Sequence, residues 1–318
     1  MKHLLSLEKL SREDMEFILE NTISFKRLRG KDNDLFLKGQ TWALLFSKSS
    51  TRTRVSFEVG LRELGANVIF LNAKDIQLGR GEPIKDTARV LGRMVHGAII
   101  RTYAQSEVEE FAAYSNIPTI NALTDDEHPC QILTDIFTFQ EFRGSIKGKT
   151  VSFFGDGACN VANSWIFAAA KLGFNLRIAS PKNFQPSENI IKRLNAVSET
   201  TATNNSDKIY ILESGSKLII TESVEVAAKD SDLLYTDVWV SMGKESESEE
   251  RIKQLSPYQL NKSVVSLAKK DALVMHCLPA YRGKEIDSET FEQHANTIFT
   301  QAENRLHTQK AILRWITL

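Results

Sequence analysis

The feature that most limits how this chain can fold is a repeated alternation of short apolar runs and longer stretches of helical spacing. Residues 42–46, 67–71, 97–101, 117–121, 150–154, 175–179, 218–221, 233–239, 272–277 and 297–299 read as strands. Between them, residues 53–64, 83–94, 106–114, 161–172, 188–197 and 223–229 carry apolar side chains three or four apart and read as helices. Strands joined through helices must run parallel, because a parallel pair needs a long crossover. The expected class is therefore α/β, with mainly parallel central sheets flanked by helices. At 318 residues the chain exceeds one typical domain, and a second unit is expected to begin near Gly148. Ser11 reads as the cap of a first helix with Met15, Ile18 and Leu19 on its buried stripe. Residues 303–315 read as a terminal helix, residues 198–207 as a polar surface loop, and residues 246–254 as a charged helix face.

Charge excludes several classes of partner. Forty Lys and Arg balance forty Asp and Glu, so nothing draws the whole molecule to nucleic acid or to a membrane surface. Any anionic ligand must be held locally. No apolar span approaches the ~20 residues that a bilayer crossing needs, and residues 1–14 read as having no signal peptide. Three cysteines without a C-x-x-C pair suit a reducing compartment, and a cytoplasmic location is the expectation.

The densest chemistry lies in Ser47-Lys48-Ser49-Ser50-Thr51-Arg52-Thr53-Arg54, between the first strand and its helix. Five hydroxyls and two guanidiniums stand there where a helix start offers unpaired N–H groups and a favourable dipole. A guanidinium fork on phosphate oxygens is worth about 1.5–3 kcal/mol. The bland reading is a capping cluster with arginines facing water; the density of donors favours a phosphate-like ligand.

Other groups stand at strand ends or helix starts: Arg101, His128, Asp237, His276-Cys277-Leu278-Pro279, and Gln301-Ala302-Glu303-Asn304-Arg305. In open α/β sheets, ligands bind beyond the carboxyl ends of the strands, so these segments are able to converge. Each also has a structural reading: a solvated strand end, a helix cap, a structural ion pair, or a small buried thiol. Gly155-Asp156-Gly157 superficially resembles a dinucleotide turn, but position 160 is Asn and the next strand ends in Ala179-Ser180-Pro181, without an acid. Asn160, Asn163 and Ser164 suit a zwitterionic amino acid better than a pyrophosphate, with capping and surface exposure as the alternative. His276 has no partner at metal-ligand spacing, so no metal site and no cofactor is expected.

Taken together, Ser50-Thr51-Arg52-Thr53-Arg54, Glu82-Pro83-Ile84-Lys85-Asp86-Thr87-Ala88-Arg89, His128-Pro129-Cys130-Gln131, Asp237-Val238-Trp239-Val240-Ser241-Met242-Gly243, His276-Cys277-Leu278-Pro279 and Gln301-Ala302-Glu303-Asn304-Arg305 resemble the aspartate/ornithine carbamoyltransferase family. The motifs occur in the family's order, from about residue 40 to the end. The resemblance implies a carbamoyl phosphate-binding domain over residues 1–143, with 303–318 packing back on it, and an ornithine-binding domain over 144–302. It implies a homotrimer and no cofactor. On the family pattern, Ser50, Thr51, Arg52 and Thr53 hold the phosphate, and Gln77 reaches a neighbouring subunit's pocket. Arg101 and His128 approach the carbamoyl oxygen, Gln131 takes the carbamoyl amide, and Arg305 lies on the same side. Asn160, Asp237, Ser241 and Met242 match ornithine positions; Cys277 and Leu278 match contacts near the reacting amine. The Ser-Met-Gly segment favours ornithine over aspartate. One departure is Ala158-Cys159, where the family often has a second polar residue beside Asn160. The implied reaction is direct attack of the ornithine δ-amine on carbamoyl phosphate, giving citrulline and phosphate without a covalent enzyme intermediate. Arg101, His128, Asp237 and Cys277 are the implied catalytic side chains.

Overall fold

The computed structural model of the protein describes residues 1–31, 34–194, 196–201, 207–240 and 248–318. These form two compact units, Met1–Phe137 with Glu303–Leu318, and Thr138–Ala302. Each unit is an α/β layer around its own sheet.

In the first unit, α1 (Arg12–Arg27) opens on Ser11, whose Oγ accepts the Asp14 N–H at 3.0 Å, with Glu13 and Asp14 favourably placed in the first turn. There follow β1 (Thr41–Phe46), α2 (Arg52–Glu63), β2 (Asn67–Asn72), α3 (Ile84–Leu91), β3 (Gly97–Arg101), α4 (Gln105–Ser115), β4 (Thr119–Leu123) and α5 (Pro129–Arg143). The sheet order is β2-β1-β3-β4, all parallel. β3 is buried throughout and β1 from its second residue on, which is why both read as unbroken apolar runs. Ala43, Leu45, Ala98 and Ile100 pack with Val108 and Phe111 in one core layer. Gly97 is required there, since a Cβ would stand 2.4 Å from the Trp42 indole. Ahead of α1, Leu4 lies along β4, its N–H donating to the Thr119 carbonyl (3.0 Å) and its carbonyl accepting from Asn121 (2.7 Å).

The second unit contains β5 (Thr150–Phe154), α6 (Asn160–Leu172), β6 (Asn175–Ala179), α7 (Glu188–Arg193), β7 (Ser198–Thr201), β8 (Lys208–Ile211) and β9 (Lys217–Thr221). It continues with α8 (Val224–Ala228), β10 (Leu233–Thr236), α9 (Ser248–Leu255), α10 (Lys262–Val265), β11 (Leu273–His276), α11 (Ser288–Gln293) and α12 (Ala295–Ile316). The sheet runs β11-β10-β5-β6-β9-β8-β7, with β8 and β7 antiparallel additions at one edge. The chain leaves the first unit within α5 and returns within α12.

Three expectations are corrected. Residues 297–299 are not a strand but the first turns of α12; Ile298 is buried and Phe299 is 55% exposed. Two large apolar neighbours mimic a strand, but the helix-forming run that follows propagates back through them. Residues 198–201 pair as β7 rather than loop out, because an edge strand tolerates the polar sequence Ser-Glu-Thr-Thr. β10 ends at Thr236, so Asp237 follows the strand instead of lying in it.

Both sheets contain a switch point, where successive strands leave in opposite directions: between β1 and β3, and between β5 and β10. The segment 47–52 and Arg101 stand at the first. The Gly155-Asp156-Gly157 turn and Asp237 stand at the second. Among the described residues no helix is long and apolar enough to cross a membrane.

Candidate active site

In the first unit, β1 delivers the chain into segment 47–51 as the Ser47 N–H donates to the Arg101 carbonyl at 2.7 Å. Lys48 is buried, ion-paired with Asp125 and 4.2 Å above the Tyr103 ring centroid. Thr51, the cap of α2, makes no side-chain capping bond, and the first turn of α2 holds no acid. The Thr53 N–H reaches Ser50 Oγ at 3.3 Å. Ser50 Oγ thus takes one N–H of the first turn, and no acid sits against the helix's positive end. The two arginines of the motif part company. Arg54 lies 3.6 Å over the Phe70 ring and pairs with Glu58, a structural role.

Arg305 comes from α12, within the expected terminal helix, and it is the hub of the group. Buried to 2% exposure, it donates Nη2–H to Thr53 Oγ1 at 3.1 Å and Nη1–H to Gln131 Oε1. Gln131 in turn donates to Asp135 Oδ1 at 2.8 Å, which orients its amide. His128 is buried at the start of α5. Burial, and after it the charges of Arg305, Arg101 and Arg52, hold its imidazole pKa well below 6.5. One neutral ring thus feels three guanidiniums, whose charges gather in a low-dielectric place. Ser50, Thr51, Arg52, Thr53, Arg101, His128, Gln131 and Arg305 therefore belong to one end of one sheet. Gln77 is exposed at the head of a short 3-10 turn, and no hydrogen bond or ion pair joins its side chain to them.

In the second unit, Asp237 follows β10 and Cys277 follows β11, adjacent parallel strands. The Cys277 thiol donates to Asp237 Oδ1 at 2.8 Å, and the Val238 N–H donates to the same oxygen at 2.7 Å. Burial raises the Asp237 pKa, and the nearby His276 and these two bonds offset part of that. His276 is fully buried: Nδ1 accepts the Leu278 N–H at 2.8 Å, while Nε2 meets Glu285 Oε1 at 3.1 Å. Leu278 is bent into the left-handed region at φ 58°. Asn160 is the first residue of α6. Asn163 and Ser164 are buried in the helix, which overturns the surface-exposed alternative for them. Gly155 and Gly157 are explained by packing: φ is +119° at Gly155, and a Cβ at Gly157 would stand 2.7 Å from Ile178. Ser241 and Met242 lie outside the described residues. Among the described residues no group of three or more His, Cys, Asp or Glu side chains is arranged to hold a metal ion.

Comparison with known proteins decides the family. The carbamoyl phosphate-binding domain of aspartate/ornithine carbamoyltransferases matches residues 2–141, and the Asp/Orn-binding domain of the same family matches residues 147–316. The chain belongs to the aspartate/ornithine carbamoyltransferase family. It is 51% identical to an ornithine carbamoyltransferase of Akkermansia muciniphila over 315 residues, covering 98% of this chain and 97% of that one. Among solved structures it is similar to the ornithine carbamoyltransferase of Pyrococcus furiosus, at 44% identity and TM-score 0.88, covering 98% of this chain and 96% of that one. The anabolic ornithine carbamoyltransferase of Campylobacter jejuni is similar at 40% identity and TM-score 0.88, with 100% and 99% covered.

As a carbamoyltransferase-family chain it carries several supports that sequence reading missed. Asp156 and Arg251, 95 residues apart and both buried, form an ion pair, and Arg251 Nε–H donates to the Trp239 carbonyl at 2.8 Å. That pair ties the turn before Asn160 to the segment after Asp237. The only sequence sign was an acid inside a Gly-x-Gly turn. Lys48 was legible as part of the hydroxyl-rich motif, but its pairing with Asp125 was not. At the family departure, Cys159 caps α6, Sγ accepting the Ala162 N–H at 3.4 Å, and burial pushes its thiol pKa well above the usual range.

Proposed function

We propose that the protein transfers the carbamoyl group of carbamoyl phosphate to the δ-amine of L-ornithine, giving L-citrulline and phosphate by direct attack. The observation that carries this reading is the convergence of Arg52, Arg101 and Arg305 on a neutral His128 beside the acid-free start of α2. Ser50, Thr51, Arg52 and Thr53 receive the phosphate, with Arg305 adding charge and holding Thr53. Gln131, fixed by Arg305 and Asp135, presents its amide to the carbamoyl group.

Attack makes the carbonyl oxygen an anion. Arg101 and His128 donate to it, and Thr53 adds a hydroxyl. Preorganised donors of this kind are worth roughly 3–4 kcal/mol each in rate. A neutral imidazole donates a hydrogen bond and keeps its proton; as the C–O bond breaks, the bridging oxygen takes the electron pair, and phosphate departs with one more negative charge until it takes a proton. An aliphatic amine with a pKa of about 10.4 needs roughly 4–5 kcal/mol to be neutral at pH 7. Asp237 and Cys277 set the charge around ornithine, and the departing phosphate accepts the amine's proton. Orientation of two bound substrates supplies up to about 7–11 kcal/mol, so no covalent enzyme intermediate is needed. Asn160, Leu278, Ser241 and Met242 complete the ornithine side.

The same proposal includes a homotrimer, to which Gln77 contributes across a subunit boundary, and a cytoplasmic location. Light scattering tests the assembly, with a mass near three times the 35.8 kDa chain expected. The reaction is tested by comparing ornithine, putrescine, N-acetylornithine and aspartate as acceptors with carbamoyl phosphate. Ornithine is expected to give citrulline and phosphate in equal amounts and to outpace the rest. Faster carbamoylation of any other acceptor refutes the assignment.

A further inference from the structure

Glu127 is the residue before His128 and is fully buried, a rare setting for a carboxyl side chain. Its Oε2 accepts the Leu7 N–H at 2.8 Å, across 120 residues of sequence. Leu7 belongs to the amino-terminal segment that lies along β4. Two side-chain amides, Gln105 and Asn121, hold that segment by donating to the Leu5 carbonyl at 3.0 and 2.9 Å. Thr124 Oγ1–H donates to Gln105 Oε1 at 2.8 Å, which joins the same network to the turn carrying His128.

The turn itself is closed on both sides. The Thr124 N–H donates to the Glu127 carbonyl at 2.9 Å, and the Glu127 N–H donates to Thr124 Oγ1 at 3.2 Å. Asp125 pairs with Lys48, inside the phosphate segment. The His128 carbonyl then accepts the Gln131 N–H at 3.1 Å as α5 begins. The Glu127 side chain reaches from this turn back to the amino-terminal segment.

We propose that Glu127 is a positioning residue for His128: its carboxylate bond to the Leu7 N–H fixes the turn from which the imidazole meets the carbamoyl group. The inference rests on the role given to His128 above. Only a side chain with a glutamate's reach and an acceptor oxygen makes this bond. Misplacing a reacting-centre contact by an ångström costs on the order of a hundredfold in rate.

Four full-length variants test it: Glu127→Met, Glu127→Gln, Glu127→Asp and His128→Asn. Steady-state kinetics are read beside calorimetric titration with inorganic phosphate, which reports the phosphate seat alone. Glu127→Met is expected to lower kcat by about tenfold to a hundredfold while phosphate Kd stays within about threefold. Glu127→Gln keeps an acceptor oxygen in reach and is expected to hold kcat within about threefold of native. Native kcat in Glu127→Met with an inactive His128→Asn overturns the proposal. So does equal loss in the Met and Gln variants, or parallel loss of kcat and phosphate affinity in the Met variant. Should Glu127→Met not fold, Glu127→Asp takes its place: its oxygen is drawn back by one methylene, the Met-like loss is expected, and native kcat overturns. Full activity in His128→Asn instead brings down the role of His128, and this proposal with it.

Discussion

Replacing Arg305 with methionine removes one charge while keeping much of the side chain's volume. The guanidinium donates to Thr53 Oγ1 and Gln131 Oε1, and after burial it is the largest influence on His128. A unit charge about 4 Å from another contributes on the order of 4 kcal/mol at an effective dielectric of about 20. Relief of repulsion from Arg52 and Arg101 in the ligand-free protein returns part of this. A net loss of about 2–4 kcal/mol corresponds to a phosphate Kd raised roughly thirtyfold to a thousandfold. The assay is the rise in unfolding free energy that inorganic phosphate brings. At about a hundred times the native Kd, phosphate stabilises the native protein by about 2.7 kcal/mol. With Kd raised about a hundredfold, the same concentration stabilises the variant by only about 0.4 kcal/mol. Arg54→Met is the internal control, because Arg54 packs on Phe70 and pairs with Glu58; it is expected to keep the full phosphate effect. An undiminished phosphate effect in Arg305→Met refutes the charged seat.

Three further outcomes are expected. Asp237→Asn raises the ornithine KM about tenfold to a hundredfold, the worth of a charge-assisted contact, and leaves phosphate titration unchanged; equal loss of both contradicts the separation. Because the folded-state pKa of His128 lies well below 6.5, the unfolded chain takes up a proton that the folded chain refuses between that value and about 6.5. Stability therefore falls as pH drops below about 6.5, with up to about 1.4 kcal/mol per pH unit from this ring. Urea melts should show a shallower fall in His128→Asn, and an identical pH slope contradicts the assignment. Arg251→Met strands the buried Asp156 carboxylate and should cost about 3–5 kcal/mol in chemical denaturation, much of it recovered when Asp156→Asn is added. A loss below about 1 kcal/mol in the single variant contradicts a buried pair.

Local signals were legible wherever chemistry and period agreed. The apolar run of β1, the hydroxyl and guanidinium cluster after it, and the 3-4 spacing of α2 all point to one strand–turn–helix unit. The same agreement identified β3 with Arg101, and α5 opened by His128 and Pro129. Reading failed where a short stretch carried two periods at once, as at Ile298 and Phe299, whose helical identity depends on the run that follows. It failed too at Ser198–Thr201, where pairing with β8 outweighs a polar composition. Long-range pairs stayed hidden for a different reason. Asp156 with Arg251, Glu127 with Leu7, and Arg305 with Thr53 are brought together only by the folded backbone, and no spacing in the sequence encodes them. Arg305 was legible within the Gln301–Arg305 segment at a helix start, but its bonds to Thr53 and Gln131 were not.

In the proposed reaction the start of α2 and three guanidiniums seat the phosphate while His128 faces the carbamoyl group. A crystal structure determined with carbamoyl phosphate measures this most directly. Phosphate oxygens are expected within hydrogen-bonding distance of Ser50, Thr51, Arg52 and Thr53, and the carbonyl oxygen turned to Arg101 and His128. A phosphate bound elsewhere, with residues 50–53 unengaged, contradicts it.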